Sequence, residues 1–344
     1  MEALLYDSNS KTSAVKQVPI PTIEEPDDVL IKVVYSGVCG TDLRITAGEF
    51  PVQKKFPIIL GHEFMGVVAA IGRDVTTFKV GDRAAVDPNK GCGVCRFCHE
   101  ANINYCMVGY EKYKLGVFKH GGHAEYCLCK EDQCYKIPDS VTTDQAGLVE
   151  PLSCVVHAMD FVGQIGHRIL IMGAGWIGLM WLITLHLKGH RNVTAIERNE
   201  RRRDLVERLD LGYKVLPPEK LENDMKCNYT PFDFIVDCSG NGPIIELGIT
   251  WLNNGGKFCI FGIAKPETVI QISPFEIFLK EITIYGIKTN PHTYEKSMHL
   301  LKALGSRYLD YEKLGVACYK LTDYEKAFEE LRSGNIAKIL FKFT

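Results

Sequence analysis

Charge of one sign is what this 344-residue chain most plainly lacks: 40 Lys and Arg stand against 42 Asp and Glu, a net charge of −2. A nucleic-acid or anionic-membrane binder needs a basic footprint, and near-balance removes it. Low-complexity tracts and internal repeats are missing as well, which excludes solenoid architectures. An apolar content of 46% with so little net charge excludes disorder. The opening residues Met1-Glu2-Ala3-Leu4-Leu5-Tyr6-Asp7 lack the basic start and apolar run of a secretory leader, so a cytoplasmic location is expected. Long hydrophobic runs are scarce. One of them, Ile169 to Leu187, has 19 residues without Asp, Glu, Lys or Arg, enough to span a membrane. Its three glycines, Gly173, Gly175 and Gly178, follow the strand-like Ile169-Leu170-Ile171-Met172 and instead predict a strand, a tight turn and a buried helix.

At roughly 150 residues per domain, this length predicts two domains. The first 150 or so residues read as short strands cut by turns, such as Val29 to Tyr35 and Gly66 to Gly72 before the turn-like Val80-Gly81-Asp82-Arg83. After Pro151 the texture changes. Strands at Arg168–Met172, Val193–Ile196, Phe232–Val236 and Lys257–Phe261 alternate with helical patterns at Ile177–Lys188, Arg202–Leu209 and Ile244–Leu252. Such alternation predicts an α/β domain whose parallel sheet is covered on both faces. Beyond Lys288 the chain turns helical and ends in the strand-like Lys338–Lys342.

The glycine run Gly173-Ala174-Gly175-Trp176-Ile177-Gly178 fits G-x-G-x-x-G, between a strand and a helix, with Glu197 closing the next strand 24 residues after Gly173. Gly173 permits the turn, Gly175 lets backbone approach a pyrophosphate, and Gly178 allows close helix–sheet packing. Ile177 stands in the first turn of the helix whose N-terminus faces the phosphates. A carboxylate at Glu197 accepts hydrogen bonds from ribose hydroxyls and repels a 2′-phosphate, favouring NAD. Arg198 and Arg202 nearby leave NADP open, or form a solvated helix face with Glu200 and Glu207.

Thirteen cysteines suit metal binding better than disulfides in a reducing compartment. Cys92, Cys95, Cys98 and Cys106 form C-x2-C-x2-C-x7-C, which closes a tetrahedral shell around a structural Zn²⁺ with no open position. An iron–sulfur cluster and reduced free thiols are the competing readings, although the spacing does not match the bacterial ferredoxin run. The other cysteines outside the sites (Cys127, Cys129, Cys134, Cys154, Cys227, Cys238, Cys259 and Cys318) are expected to be buried free thiols.

Three short segments complete the pattern: Gly37-Val38-Cys39-Gly40-Thr41-Asp42, Gly61-His62-Glu63 and Val149-Glu150-Pro151-Leu152. Their order around the four-cysteine lobe and the dinucleotide motif resembles the zinc-dependent medium-chain dehydrogenase/reductase family over nearly the whole chain, and its polyol dehydrogenase branch in particular. The resemblance implies a GroES-like, mostly-β catalytic domain over residues 1–155 and 289–344, with the structural-zinc lobe at about 88–107. It further implies a doubly wound Rossmann domain over 156–288, with a catalytic zinc in the cleft between the two. Cys39 and His62 match the family's first zinc ligands; Glu63 ligates zinc directly or through water. Glu150 stands where Cys₂His-type alcohol dehydrogenases carry a cysteine, as in polyol dehydrogenases. Thr41 matches the hydroxyl that starts a proton relay from the substrate, though a purely local hydrogen bond would also explain it. Asp42 is read as structural, and His120, His123 and His157 are given no role.

The activity implied is hydride transfer between NAD and a secondary hydroxyl of an alditol, giving a ketose, with two Zn per subunit. The same chemistry on L-threonine, 2,3-butanediol or a phosphorylated alditol is the alternative, and a non-catalytic nucleotide-binding protein is a further one. A small-molecule substrate and a homotetramer or homodimer are implied, with neither nucleic acid nor membrane as partner. Two departures from sorbitol-type sequences stand out. Ile45 replaces a tyrosine, and Gly286-Ile287-Lys288-Thr289-Asn290 carries no arginine, leaving Lys288 or Asn290 to bind hydroxyls or to be solvated. Leu115 and Phe118 are candidates for the pocket wall.

Overall fold

The apolar run Asp28–Val38 forms an 11-residue strand in which only Lys32 is exposed, as expected of a strand covered on both faces. Three segments pair with it antiparallel: Glu63–Ile71, Tyr126–Lys130 and Lys338–Lys342. These belong to a seven-stranded sheet. Its main path runs Val316–Tyr319, Lys338–Lys342, Asp28–Val38, Glu63–Ile71, Arg83–Val86, Cys134–Lys136, with Tyr126–Lys130 paired off that path. The registers set Gly37 opposite Glu63 and Val38 opposite Ile339. Under one part of the sheet Val29, Ile31, Val33, Phe64, Val68 and Phe78 pack with Cys127, Cys129 and Cys134. A three-stranded sheet, Thr12–Gln17, Glu2–Asp7 and Ile58–Ile59, lies in the same unit.

The computed structural model describes residues 1–50 and 57–343. Contacts divide the chain into two units. The first holds Met1–Val156, Thr289–Gly305 and Val316–Thr344; the second holds His157–Lys288 and Ser306–Gly315. The sequence reading assigns residues 306–315 to the first domain; here they pack with the second. The helix Tyr294–Tyr308 breaks at Gly305, whose φ of 54° and ψ of −164° are not helical. Beyond the break Tyr308 bonds His186 across 2.7 Å, tying the segment to the second unit.

In the second unit six parallel strands stand in the order Lys214–Leu216, Val193–Ile196, Ile169–Met172, Phe232–Asp237, Leu252–Ile260, Thr283–Gly286. The chain builds outward from Ile169–Met172 in both directions, and the C-terminal ends on either side of that strand form a topological switch point, where doubly wound sheets bind ligands. The charge-free run resolves into strand Ile169–Met172, glycine turn and helix Trp176–Leu187. Nine residues of this 12-residue helix are buried, including Trp181 at 0% exposure, so it is apolar all round because protein covers it all round. No described helix is long and apolar enough to cross a membrane.

Candidate active site

Cys39 directly follows the strand Asp28–Val38 and N-caps the helix Gly40–Thr46. Its backbone N–H donates to the Asp42 carboxylate at 2.8 Å, a reciprocal cap that fixes where the thiol points. Thr41, on the first turn, receives the Cys39 Sγ–H at 3.7 Å and is buried. Glu63 begins the neighbouring strand and His62 directly precedes it, placed there by Gly61 at φ 91°, a conformation that favours glycine. The Cys39 sulfur, a ring nitrogen of His62 and a carboxylate oxygen of Glu63 all lie within 4.8 Å of one another.

Asp42 is wholly buried between two histidines. Its Oδ1 lies 3.6 Å from His62 Nδ1 and its Oδ2 3.7 Å from His123 Nε2. Burial alone would raise its pKa, but the two histidines, His62 first, hold the carboxyl well below the usual range. A metal-ligating histidine characteristically turns its other nitrogen to a carboxylate. The donor set here (thiolate, imidazole, carboxylate, with a buried carboxylate behind the imidazole) therefore fits a zinc ion.

Glu63 carries a second partner that the sequence reading does not foresee. Lys338, only 2% exposed, bonds its carboxylate and also donates to Val38 O at 2.9 Å. Gly37 makes room for the pair, since a Cβ there would stand 2.6 Å from Glu63 Oε2. Glu150 opens the helix Val149–Met159 and lies outside the 4.8 Å cluster. Burial, then the charge of Glu63, pushes its carboxyl up to about 7. Cys154 Sγ stands 3.9 Å from Glu150 Oε1.

Beneath Glu150 runs a buried polar chain. Asn89 donates to Asp87 and to Asn290 Oδ1, Asn290 Nδ2 donates to Ser153 Oγ at 2.7 Å, and Ser153 Oγ–H donates to the Glu150 carbonyl at 2.5 Å. Asn290 thus spends both ends of its amide inside the protein at 1% exposure, which corrects its reading as a hydroxyl-binding or solvated loop residue. Ile45 and Leu115 are core residues. Ile45 packs with Tyr6, Ile58, Leu60 and Val117, and Leu115 packs beneath the main sheet. Phe118 is partly buried against the Ile45 cluster, with its ring edge-on to Tyr110.

The four-cysteine lobe brings all four sulfurs within 4.8 Å of one another, with Cys95–Cys98 at 3.6 Å and Cys92–Cys98 at 4.0 Å. Bonds of about 2.3 Å to a tetrahedral zinc require sulfurs about 3.8 Å apart, so the set fits a closed shell. Gly91 is required here because a Cβ would stand 2.6 Å from Cys98 Sγ. The Val94 N–H leads the causes that hold Cys92 down at about 6, and burial pushes Cys98 up to about 11. Among the thiols read as buried, Cys127, Cys129, Cys134 and Cys259 are buried and Cys154 and Cys238 partly so. Cys227 and Cys318 are exposed instead, one at the end of the helix Pro218–Cys227 and one on the edge strand Val316–Tyr319.

In the second unit Gly173 takes φ 103° after its strand, and a Cβ on Gly178 would stand 2.0 Å from the Gly173 carbonyl. Gly175 N-caps the helix, and Ile177 is half-buried in its first turn. Glu197 accepts the Ala174 N–H at 2.9 Å on Oε2 and the Asn199 N–H at 2.9 Å on Oε1. Arg202 Nη1 stands 3.9 Å from Glu197 Oε2, whereas Arg198 is exposed. The turn therefore sets a helix N-terminus beside a fixed carboxylate, the arrangement that receives a dinucleotide.

Residues 25–139 match the alcohol dehydrogenase GroES-like domain and residues 177–303 the zinc-binding dehydrogenase domain. D-altritol 5-dehydrogenase of Agrobacterium fabrum is 33% identical, over 85% of this chain and 86% of that protein. D-arabinitol dehydrogenase 1 of Uromyces fabae is 31% identical, over 99% and 97%. L-threonine 3-dehydrogenase of Vibrio parahaemolyticus is 30% identical, over 96% and 97%. Among solved structures, a zinc-binding dehydrogenase from Sinorhizobium meliloti bound to NADP superimposes with a TM-score of 0.89 at 27% identity, covering 99% of both chains. The chain belongs to the zinc-dependent medium-chain dehydrogenase family and is a zinc- and nicotinamide-linked alcohol dehydrogenase similar to the family's polyol branch.

Proposed function

We propose that this chain oxidises a secondary hydroxyl of an alditol to a ketone, with NAD as hydride acceptor. The observation that carries the reading is the convergence of Cys39, His62 and Glu63 in a chain whose relatives include altritol and arabinitol dehydrogenases. Cys39, His62 and a carboxylate, Glu63 or Glu150, hold a catalytic zinc, and Cys92, Cys95, Cys98 and Cys106 hold a second, structural one. The catalytic zinc supplies Lewis acidity that eases loss of the hydroxyl proton, and NAD supplies the carbon that takes the hydride. Thr41 Oγ1, placed by the first turn after Cys39, would start a proton relay, taking the substrate's hydroxyl proton as its own hydroxyl proton passes on toward solvent. Asp42 keeps His62 turned so that one ring nitrogen faces the metal. Glu150, buried in the first turn of the helix Val149–Met159, would be the alternative carboxylate ligand.

Gly173, Gly175, Ile177 and Gly178 shape the pyrophosphate turn, and Glu197 receives the adenosine ribose hydroxyls. Both Glu197 oxygens already accept a backbone N–H, so the carboxylate is locked in place, and it opposes a 2′-phosphate. Arg202 tempers that charge and, with Arg198, is the feature that favours NADP. The thirteen thiols, all free, suit a reducing compartment, and we place the chain in the cytoplasm.

Initial rates of reduced-nicotinamide formation with NAD and with NADP, on sorbitol, xylitol, ribitol, both arabinitols, threonine and 2,3-butanediol, test the reading. The expected result is turnover on at least one alditol with NAD preferred. Turnover on threonine or butanediol alone would keep the chemistry and discard the alditol. That second reading draws on the threonine dehydrogenase relative and on Ile45, which lies in the core in place of the sorbitol-type tyrosine.

A homodimer, alone or within a homotetramer, completes the reading. Strand Thr283–Gly286 leaves one edge of the six-stranded sheet unpaired, and the helix leading into it exposes Phe275 (68%), Phe278 (79%) and Leu279 (63%). A second copy of this chain covers both features. Light scattering of Phe278→Glu is expected to shift the mass toward a 38.6 kDa monomer, and an unchanged mass would place the interface elsewhere.

A further inference from the structure

His123 stands behind the metal cluster, and nothing in the chemistry above uses it. It is 0% exposed, as are Ser36 and Asp42. Its Nδ1 lies 2.7 Å from Ser36 Oγ and its Nε2 3.7 Å from Asp42 Oδ2, while Asp42 Oδ1 lies 3.6 Å from His62 Nδ1. Ser36, His123, Asp42 and His62 therefore form one buried line ending on a metal-ligand residue. Asp42 Oδ1 faces His62 Nδ1 and Asp42 Oδ2 faces His123 Nε2, each just beyond hydrogen-bond length, and Asp42 Oδ1, His62 Nδ1 and His123 Nε2 have no other hydrogen-bond partner. Buried polar atoms of this kind are seldom left unpaired, so a small closure along the line satisfies all three.

The His123 ring has little freedom to do anything else. Gly61 approaches so closely that a Cβ there would stand 2.4 Å from His123 Nδ1, and Phe341 meets the ring edge-on at 5.0 Å between centroids. The His123 backbone is tied at both ends, its N–H donating to Leu60 O and its carbonyl accepting from Leu4 N, each at 2.8 Å.

We propose that His123 is a positioning residue for the catalytic metal, acting through Asp42 on His62, with Ser36 setting its tautomer. Ser36 Oγ–H donates to Nδ1, which leaves the proton on Nε2 to hold the Asp42 carboxylate. Asp42 in turn holds His62 Nδ1–H, so that Nε2 of His62 faces the metal. Outer partners of ligand histidines fix ring orientation and raise ligand basicity. Here the carboxylate is itself held by a third residue, and it also grips the Cys39 N–H, so both ligands depend on its position. The proposal rests on His62 being a metal ligand.

The test is metal competition on the intact protein, with a chromophoric chelator on the zinc form and visible spectra on the cobalt-substituted form. His123→Phe keeps a ring against Phe341 and removes both nitrogens. It is expected to weaken the catalytic site's hold on zinc by about 10- to 100-fold and to alter the cobalt bands. The four-thiolate site should keep its metal and NADH its affinity. Ser36→Ala, which removes one hydroxyl, is expected to weaken zinc binding by about several-fold, and it decides the matter alone if His123→Phe does not fold. Zinc affinity and cobalt bands unchanged from the parent protein in the folded variants would overturn the proposal. If His62→Ala still holds both metals, the reading of His62 as a ligand fails first, which separates the two claims.

Discussion

Replacing His62 by alanine is expected to lower kcat/KM by about a thousandfold or more, about 4 kcal/mol of transition-state stabilisation. The expectation follows from the geometry of the cluster. His62, Cys39 and Glu63 bring their donor atoms within 4.8 Å of one another, and alanine leaves Cys39 and Glu63 to hold a metal between them. Glu63 is already engaged by Lys338, so it is poorly free to compensate. The glycine turn and Glu197 lie in the other compact unit, so NADH binding, read by nicotinamide fluorescence, should persist. Metal analysis should show the loss of one zinc while the four-thiolate zinc remains. Full activity in His62→Ala would remove the cluster from the mechanism.

The second large effect concerns stability. The lobe around Cys92–Cys106 has almost no core of its own: Val94, Phe97, Tyr105, Met107 and Val108 are all more than 40% exposed. What gathers it is the four sulfurs, and a structural zinc contributes folding free energy of about 10 kcal/mol or more in small domains. Cys98→Ala opens the shell at a sulfur that lies 3.6 Å from Cys95 and 4.0 Å from Cys92. A loss of about 3–5 kcal/mol to the unit that carries the lobe corresponds to a fall in Tm of roughly 10 °C. Cys106 also N-caps the helix Met107–Tyr113, so disorder should spread into it. Limited proteolysis should then cut between residues 92 and 113, where the parent protein resists. An unchanged Tm and zinc content would leave the cysteines as mere thiols.

Legibility in the sequence followed distance along the chain. The dinucleotide half was readable because its parts are local: a strand, three glycines, a helix and a carboxylate at the end of the next strand. Gly173 takes the positive φ that the turn needs, and a Cβ at Gly178 would stand 2.0 Å from the Gly173 carbonyl. The four-cysteine lobe was readable for the same reason. Cys39 and His62 came from short motifs, yet what surrounds them did not. Lys338 reaches Glu63 across 275 positions, and His123 reaches Ser36 across 87. Neither link leaves a local pattern, although a lysine heading the buried run Ile339-Leu340-Phe341 was a signal that a partner waits inside. An asparagine in a turn-like stretch such as Asn290 reads as hydroxyl-binding or solvated, and only folding shows that both ends of its amide are taken. The edge strand Thr283–Gly286 and the exposed helix before it were likewise silent, because pairing order is a property of the sheet and not of any one segment.

Alcohol oxidation by this chain is proposed to run on a zinc held at Cys39 and His62. The most direct measurement strips metal from the intact protein with a chelator, verifies the loss by metal analysis, and follows reduced-nicotinamide formation on an alditol beside NADH binding. Turnover is expected to disappear with the more labile zinc and to return when zinc is restored, with NADH binding in place throughout. Undiminished turnover in protein shown to hold no zinc would contradict it.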